Sequence, residues 1–549
     1  MKTYEVLAKA CVAEGVEHCF ALLGDGNMHF ASGLEAQGCN FTYARHEHCA
    51  VSMAMAYARV TQKTSFVTVT CGPGLTQVMT ALVAAVRSKT PLVILAGEAP
   101  LSLPWYNQGI EQAPFVVACG ASYYAVNDKS QLFSKLNQAF LEAKANQVPV
   151  VIGIPFDLQE SIWTETKPYV PVSQWPAIDD RIGPTSEAVD SAFELIQASK
   201  NIILVGGRGV ILSDAKEVCQ SLALAVDALL ASTLPARGLF WDDEFNLNVA
   251  GGFASDVAKK YFSQADLVIA VGTSLASHSI DAGRLYPKAK VLHIDTSPTI
   301  LNQGRFVATH HLRADAKLGV QALLDRLSAT RVPIARLNSV AQEIKDKPTD
   351  AFKFNHMDDL LDPRSVIAAL DQVLPKDWMM VNSSGHCSYY PAHMYQRSSA
   401  NFLTIREFGA IGNGLSYAIG AAIARPDVPV VLFDGDGGLM MHIQELETIK
   451  RHGLKILICV LNDGAYGSEI HKLRVDGASE SGAYFGIDDL AALAKGFGLE
   501  GVTIRDIEKV KDAVDKFQDP LVKGMLLDFH ISDQILSPVM RRITGLKIN

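Results

Sequence analysis

The feature that most restricts what this chain can fold into is a repeated pairing. Short, β-branched apolar runs bounded by Gly, Pro or Asp are each followed by a longer stretch with apolar residues at helical spacing. A run of this kind reads as a strand buried on both faces, and such strands alternating with helices make a parallel sheet covered on both sides. The pattern falls into three blocks. The first holds Phe66–Thr70, Pro91–Gly97 and Pro149–Pro155 and ends in the Pro- and Trp-bearing stretch Lys167–Pro184, which reads as a linker. The second holds Asn201–Gly207, Leu267–Gly272 and Lys290–Asp295 and dissolves into the polar segment Asn338–Asp358. The third holds Trp378–Asn382, Pro429–Asp434 and Lys455–Asn462. A chain of 549 residues has room for three cores of ordinary size. The expectation is an α/β protein of three doubly wound parallel-sheet domains, at 1–166, 187–335 and 360–549.

Composition narrows the function. Forty-nine Lys plus Arg against 58 Asp plus Glu give a net charge of -9, a poor match for phosphate backbones or anionic lipid, so neither nucleic acid nor a membrane surface is an expected partner. The nine cysteines are scattered and never spaced C-x-x-C, which argues against a disulfide framework or a zinc site and for a reducing cytoplasm. The N-terminal stretch carries Glu5, Glu14 and Glu17 and lacks the apolar core of a secretory signal. No run approaches the ~18 apolar residues of a membrane span.

Parallel sheets gather ligands at the carboxyl ends of their strands, where Gly-rich turns feed helix N-termini. Six such turns are present: LLGDGNMHF (22–30), TCGPGLTQ (70–77), VGGRGV (205–210), VNSSGHCS (381–388), FGAIGNG (408–414) and FDGDGG (433–438). VGGRGV is the weakest signal, since a turn in a middle domain needs no ligand. In the third block one strand runs into Gly435-Asp436-Gly437-Gly438 and the next into Asn462-Asp463-Gly464. Strands ending on one edge let Asp436 and Asp463 converge, a pair suited to Mg²⁺ or Ca²⁺, while the glycines leave N–H groups open to a diphosphate. The same residues also read as a helix cap and an Asx-turn. Glu47 opens an Ala/Met-rich helix in ARHEHCAVSMAMAYAR, where burial raises a carboxyl pKa, or it serves only as a partner of the helix dipole.

The GDG turn, its spacer and the Asn-Asp pair resemble the cofactor motif of thiamine-diphosphate enzymes. RHEHCA resembles their R-H-E-x-x-A motif, FGAIGNG their G-x-[MI]-G turn and TCGPGLTQ their T-S-G-P-G-x-T-N loop. Over essentially its whole length the chain is similar to the pyruvate decarboxylase, acetolactate synthase and benzaldehyde lyase branch. The resemblance implies pyrimidine-binding, middle and diphosphate-binding domains, thiamine diphosphate, and a metal held by Asp436, Asp463 and the carbonyl of Ala465, with Asp463 replacing the more common Asn. It places Gly385, His386, Cys387, Gly435, Gly437, Gly438, Tyr466 and Gly467 around the cofactor. The Gly409 carbonyl then accepts from the 4′-amino group, Ile411 wedges the cofactor into its bent shape, and Gly72, Pro73 and Gln77 lie along the pyrimidine. Glu47 hydrogen-bonds N1′ and is the primary catalytic residue. FAD is not favoured, because the arginine-rich middle-domain signature is replaced by GTSLASHS.

For the reaction, Asp25 matches the catalytic aspartate of pyruvate-type decarboxylases and Glu469 stands at the offset of their catalytic glutamate. Their paired histidines are absent. PWYNQGIEQAPF puts Asn107, with Gln108 beside it, where lyases and synthases carry a Gln. His386 is the candidate replacement imidazole, and His278 a weaker one. The resemblance thus implies a 2-oxo acid decarboxylase/carboligase whose enamine yields an aldehyde or, with an aldehyde acceptor, a 2-hydroxyketone. The alternatives are an acetolactate-synthase-like carboligase, a C–C lyase or hydrolase acting on a diketone or hydroxyketone, and a non-catalytic binding protein of the same fold. It also implies a homo-oligomer, dimer or tetramer, with active sites at subunit interfaces.

Overall fold

The apolar runs become strands because both their faces are covered: every residue of Pro149–Pro155, Leu267–Val271 and Ile456–Asn462 is buried. A computed structural model describes residues 1–176, 181–298, 300–328, 338–346, 349–354 and 359–545. It contains three six-stranded sheets in which neighbouring strands run parallel. Numbered along the chain within each sheet, the N-terminal strands lie in the order 2-1-3-4-6-5, the middle strands 3-2-1-4-5-6, and the C-terminal strands 2-1-3-4-6-5 again. The chain is therefore an α/β protein of three parallel sheets, as its pattern predicts, with the first and third sharing a topology.

Those two sheets meet through a pair of helices made from small residues. Glu47–Thr61 is buried from His48 to Ala56, and Gly414–Ala424 from Gly414 to Ala422. Gly420 lies so close to the Met53 carbonyl that a Cβ there would collide with it. Alanine and glycine let the backbones approach, and Met53, Met55, Leu415 and Ile419 complete one apolar core shared by both sheets. Each large side chain fully buried in this way contributes roughly 1.5–3 kcal/mol.

The VGGRGV turn is occupied by the protein itself, because a Cβ at Gly207 would run into the Gly272 carbonyl of the neighbouring strand end. The stretch read as a linker is partly docked: Glu14 accepts from the Val172 amide at 2.9 Å and from the Tyr169 hydroxyl. Part of the polar segment is the helix Asn338–Asp346, tied to the middle-domain helix Asp256–Gln264 by Lys260 to Glu343 at 2.7 Å. Residues 177–180, 329–337, 347–348 and 355–358, where parts of those segments and the 335 boundary fall, lie outside the described residues. Among the described residues no helix is long and apolar enough to cross a membrane.

Candidate active site

In the C-terminal sheet Met379–Asn382, Val430–Gly435 and Ile456–Asn462 are adjacent and parallel, so their carboxyl ends open onto one edge. A cavity there is lined by Gly385, His386 and Cys387 after the first strand, by Gly435 to Gly438 after the second, and by Asp463, Ala465, Tyr466, Gly467 and Glu469 after the third. Ile411 forms a further wall. It is carried by a turn in which Gly409 and Gly412 take φ of +75° and +91°, conformations open to glycine and costly to most other residues.

Two carboxylates converge on this cavity. Asp436 accepts from the Ala465 amide at 3.2 Å, and burial raises its pKa to about 6 against the pull of nearby backbone N–H groups. Asp463 is also raised, by burial and then by the charges of Asp436 and Asp533. Asn462 fixes the turn that presents Asp463. Its Oδ1 accepts from the Gly464 amide at 3.2 Å, and its Nδ2 donates to Asp528 at 2.9 Å and to the Asp488 carbonyl at 3.1 Å. A buried Asp436 and a half-buried Asp463, the charge of the first raising the pKa of the second, form a hard-oxygen donor set that fits a divalent cation.

His386 is held as a neutral donor. Its Nε2 accepts from the Ser537 amide at 3.0 Å, so the ring proton sits on Nδ1, on the side of Gly467. Burial and the adjacent His471 lower its pKa to about 3. Glu469 stands at the cavity mouth, exposed and 3.3 Å from Lys472.

The remaining candidates assemble at the equivalent edge of the N-terminal sheet, where His18–Ala21, Ser65–Val69 and Leu92–Glu98 end side by side. Glu47 lies against Gly74, its pKa raised by burial. Gly72 has φ +58° and packs its Cα against the Gln108 carbonyl, and its amide donates to Gln112 at 2.9 Å. Pro73 starts a one-turn helix that ends at Gln77, which is exposed. Asp25 accepts from the Tyr106 hydroxyl at 2.9 Å and Asn107 is exposed next to Gln108. These residues form one surface and none of them lines the C-terminal cavity. His278, on an exposed middle-domain loop, does not line it either.

Three family models match the chain in succession: the N-terminal TPP binding domain of thiamine pyrophosphate enzymes at residues 1–113, their central domain at 189–323 and their C-terminal TPP binding domain at 383–527. The chain belongs to the thiamine pyrophosphate enzyme family. It is 26% identical to a probable acetolactate synthase large subunit of Methanocaldococcus jannaschii, over 96% of this chain and 92% of that one. It is 26% identical to sulfoacetaldehyde acetyltransferase of Roseovarius nubinhibens, over 94% and 89%. It is also 26% identical to acetolactate synthase isozyme 2 large subunit of Escherichia coli, over 92% and 91%.

Within this thiamine pyrophosphate enzyme, several residues at the site escape the motifs. Asp434, inside FDGDGG, is buried with its Oδ2 unpaired, and burial raises its pKa to about 7. The sequence displays it openly, but an aspartate in a strand gives no sign of which face it takes. Gln112 accepts from Gly72 and donates to the Gly97 carbonyl at 2.9 Å and to Tyr123 at 3.1 Å. Tyr106 donates to Asp25, and its own desolvation, then that hydrogen bond, raises its pKa to about 12.

Proposed function

We propose that this thiamine pyrophosphate enzyme is a carboligase: a 2-oxo acid loses CO₂ and its remaining carbons pass to a second carbonyl or acyl acceptor. The observation that carries the reading is similarity along nearly the whole chain to proteins named acetolactate synthase and sulfoacetaldehyde acetyltransferase. Bound in the cavity, thiamine diphosphate would supply a nucleophilic carbon that adds to the substrate carbonyl and takes up the electrons left as CO₂ departs.

The chain's own residues then divide the work. Asp436, Asp463 and the Ala465 carbonyl would hold Mg²⁺ (or Ca²⁺), whose charge would offset the burial that raises both carboxyl pKa values. Backbone groups of Gly385, Gly435, Gly437, Gly438 and Gly467 and the Nδ1–H of His386 face the diphosphate, with Cys387 and Tyr466 as walls. His386, kept neutral, serves as a donor rather than an acid or base. Ile411, which lines the cavity, would wedge the cofactor into its bent shape, and the Gly409 carbonyl would accept from its amino group. Glu47, its carboxyl pKa raised by burial, exchanges a proton with N1′ of the pyrimidine. Gly72, Pro73 and Gln77 flank that ring, and Asp25, Asn107, Gln108 and Glu469 surround the reacting carbonyls. Since the N-terminal set does not line this chain's cavity, a second copy of the chain supplies it, and the working unit is a homo-oligomer, dimer or tetramer.

Asp25 and Glu469 favour a second reading, an enzyme that protonates rather than ligates and so releases an aldehyde. The test is incubation with thiamine diphosphate, Mg²⁺ and a panel of 2-oxo acids with and without aldehyde acceptors, followed by product analysis. CO₂ with a ligated hydroxyketone or hydroxy acid is the expected result. CO₂ with only free aldehyde moves the assignment to a decarboxylase, and turnover of a hydroxyketone without CO₂ moves it to a lyase.

A further inference from the structure

One histidine cluster between the N- and C-terminal sheets, His48 buried and His46 and His442 half-buried, has no role in the assignments above. His48 and His442 stack with ring centroids 4.8 Å apart and 15° between their planes, and His46 stands edge-on to both at 6.3 and 5.4 Å. Their hydrogen bonds fix every tautomer. His48 Nε2 contacts the Asn413 Oδ1 at 2.5 Å, and His442 Nδ1 contacts the Gly412 carbonyl at 2.8 Å. Both partners are acceptors, so the imidazoles carry their protons at those atoms. His46 Nδ1 accepts from the His48 amide at 3.1 Å, which leaves its proton on Nε2. Burial lowers the pKa of all three, so they remain neutral donors near neutral pH.

The location gives the cluster its meaning. Gly412 and Asn413 directly follow Ile411. Ser52 adds a second donor to Asn413 Oδ1 at 3.3 Å, and Arg59, on the same helix as His48 and Ser52, lies 3.7 Å from Glu407 at the start of the turn. The turn carrying Ile411 is thus held along its length by the helix that begins at Glu47, and His442, just past the helix that begins at Asp436, holds it from the other side.

We propose that His48 and His442 are positioning residues that clamp the Asn413 side chain and the Gly412 carbonyl and thereby set the placement of Ile411 against the cofactor. The proposal rests on the reading of Ile411 as the cofactor's wedge. Because His48 follows Glu47, a single helical turn sets both the carboxyl this chain presents and the wedge of its own cavity.

The decisive measurement is amide hydrogen exchange of the 407–413 segment in the cofactor-free, full-length protein, together with thiamine diphosphate affinity. For His48→Ala and for His442→Ala the segment is expected to exchange at least ~10-fold faster, with the strand Val430–Gly435 unchanged, and the cofactor dissociation constant to rise by a similar factor. His48→Gln, which keeps a donor for Asn413, should restore both to within ~3-fold. Unchanged exchange at 407–413, or a general loosening that includes Val430–Gly435 with cofactor affinity intact, would overturn the clamp. Should His48→Ala not fold, His442→Ala and His48→Gln carry the same comparison. Ile411→Ala separates the two levels: if it leaves thiamine diphosphate affinity and turnover unchanged, the wedge reading fails, whereas the amide-exchange result still judges the clamp.

Discussion

The N- and C-terminal sheets share a strand order but prepare their carboxyl edges in opposite ways. The C-terminal edge is a finished cavity within one chain, with two carboxylates, Asp436 and Asp463, held close together at an electrostatic cost. The N-terminal edge is an open surface on which Glu47 is half-buried and Asp25, Asn107 and Gln77 are exposed. The difference teaches that one topology can serve as a rigid receptacle or as a lid. Which of these it becomes is decided by the turns, glycines and paired acids in one case and a lone acid at a helix start in the other.

The strongest way to break this comparison is at the lone acid. Glu47→Gln is expected to lower kcat by about 10²–10⁴-fold, the usual share of a general acid or base, with the fold intact by circular dichroism. A variant of near-normal activity would remove the lid from the chemistry. On the receptacle side, Asp463→Asn, which keeps an oxygen ligand and removes one charge, should raise the Mg²⁺ concentration needed for half-maximal activity by about 10-fold. The same change should raise the thermal midpoint of the metal-free protein, because it deletes one of two repelling buried charges. Opposite signs in the two assays would be the signature of a site strained in readiness for a cation.

Acid separates the regions less sharply. Burial lowers the pKa of His386 to about 3 and of His48, His393 and His471 to about 4. These groups bind protons more readily when unfolded. The stability this contributes is fully present above about pH 6.5 and is lost as pH falls from there through about 4, at up to about 1.4 kcal/mol per pH unit for each group. A thermal midpoint that falls steeply over that window is expected, and a flat profile would contradict it. The smallest effect belongs to Lys472→Ala: its ion pair with Glu469 is exposed, and stability should change by less than about 0.5 kcal/mol.

Much of the architecture was legible because it rests on local period. Pro149–Pro155 and Lys290–Asp295 are strands with the bounds their β-branched runs suggest. The turns carrying Asp436, Asp463 and Ile411 could be read as candidates because glycine and aspartate declare themselves at strand ends. What stayed hidden depends on partners distant in sequence. Nothing in SMAMAYAR says that its small residues lie against Gly420, nor in RHEH that His48 finds Asn413. Gln112 looks like any loop glutamine until the fold sets its amide between Gly72 and Tyr123. The docked linker needed Glu14, and the helix Asn338–Asp346 needed Lys260, both outside any local window.

The central claim, that each working site joins the receptacle of one chain to the lid of another, is tested most directly by mixing two inactive variants. Glu47→Gln and Asp436→Asn subunits, each nearly inactive alone, are unfolded and refolded together in equal amounts. If sites are shared between chains, half of the dimers are mixed and each mixed dimer regains one intact site of two, so activity should return to about a quarter of wild type. If mixed subunits form and activity stays at the level of the separate variants, both halves of the site belong to one chain and the account is wrong.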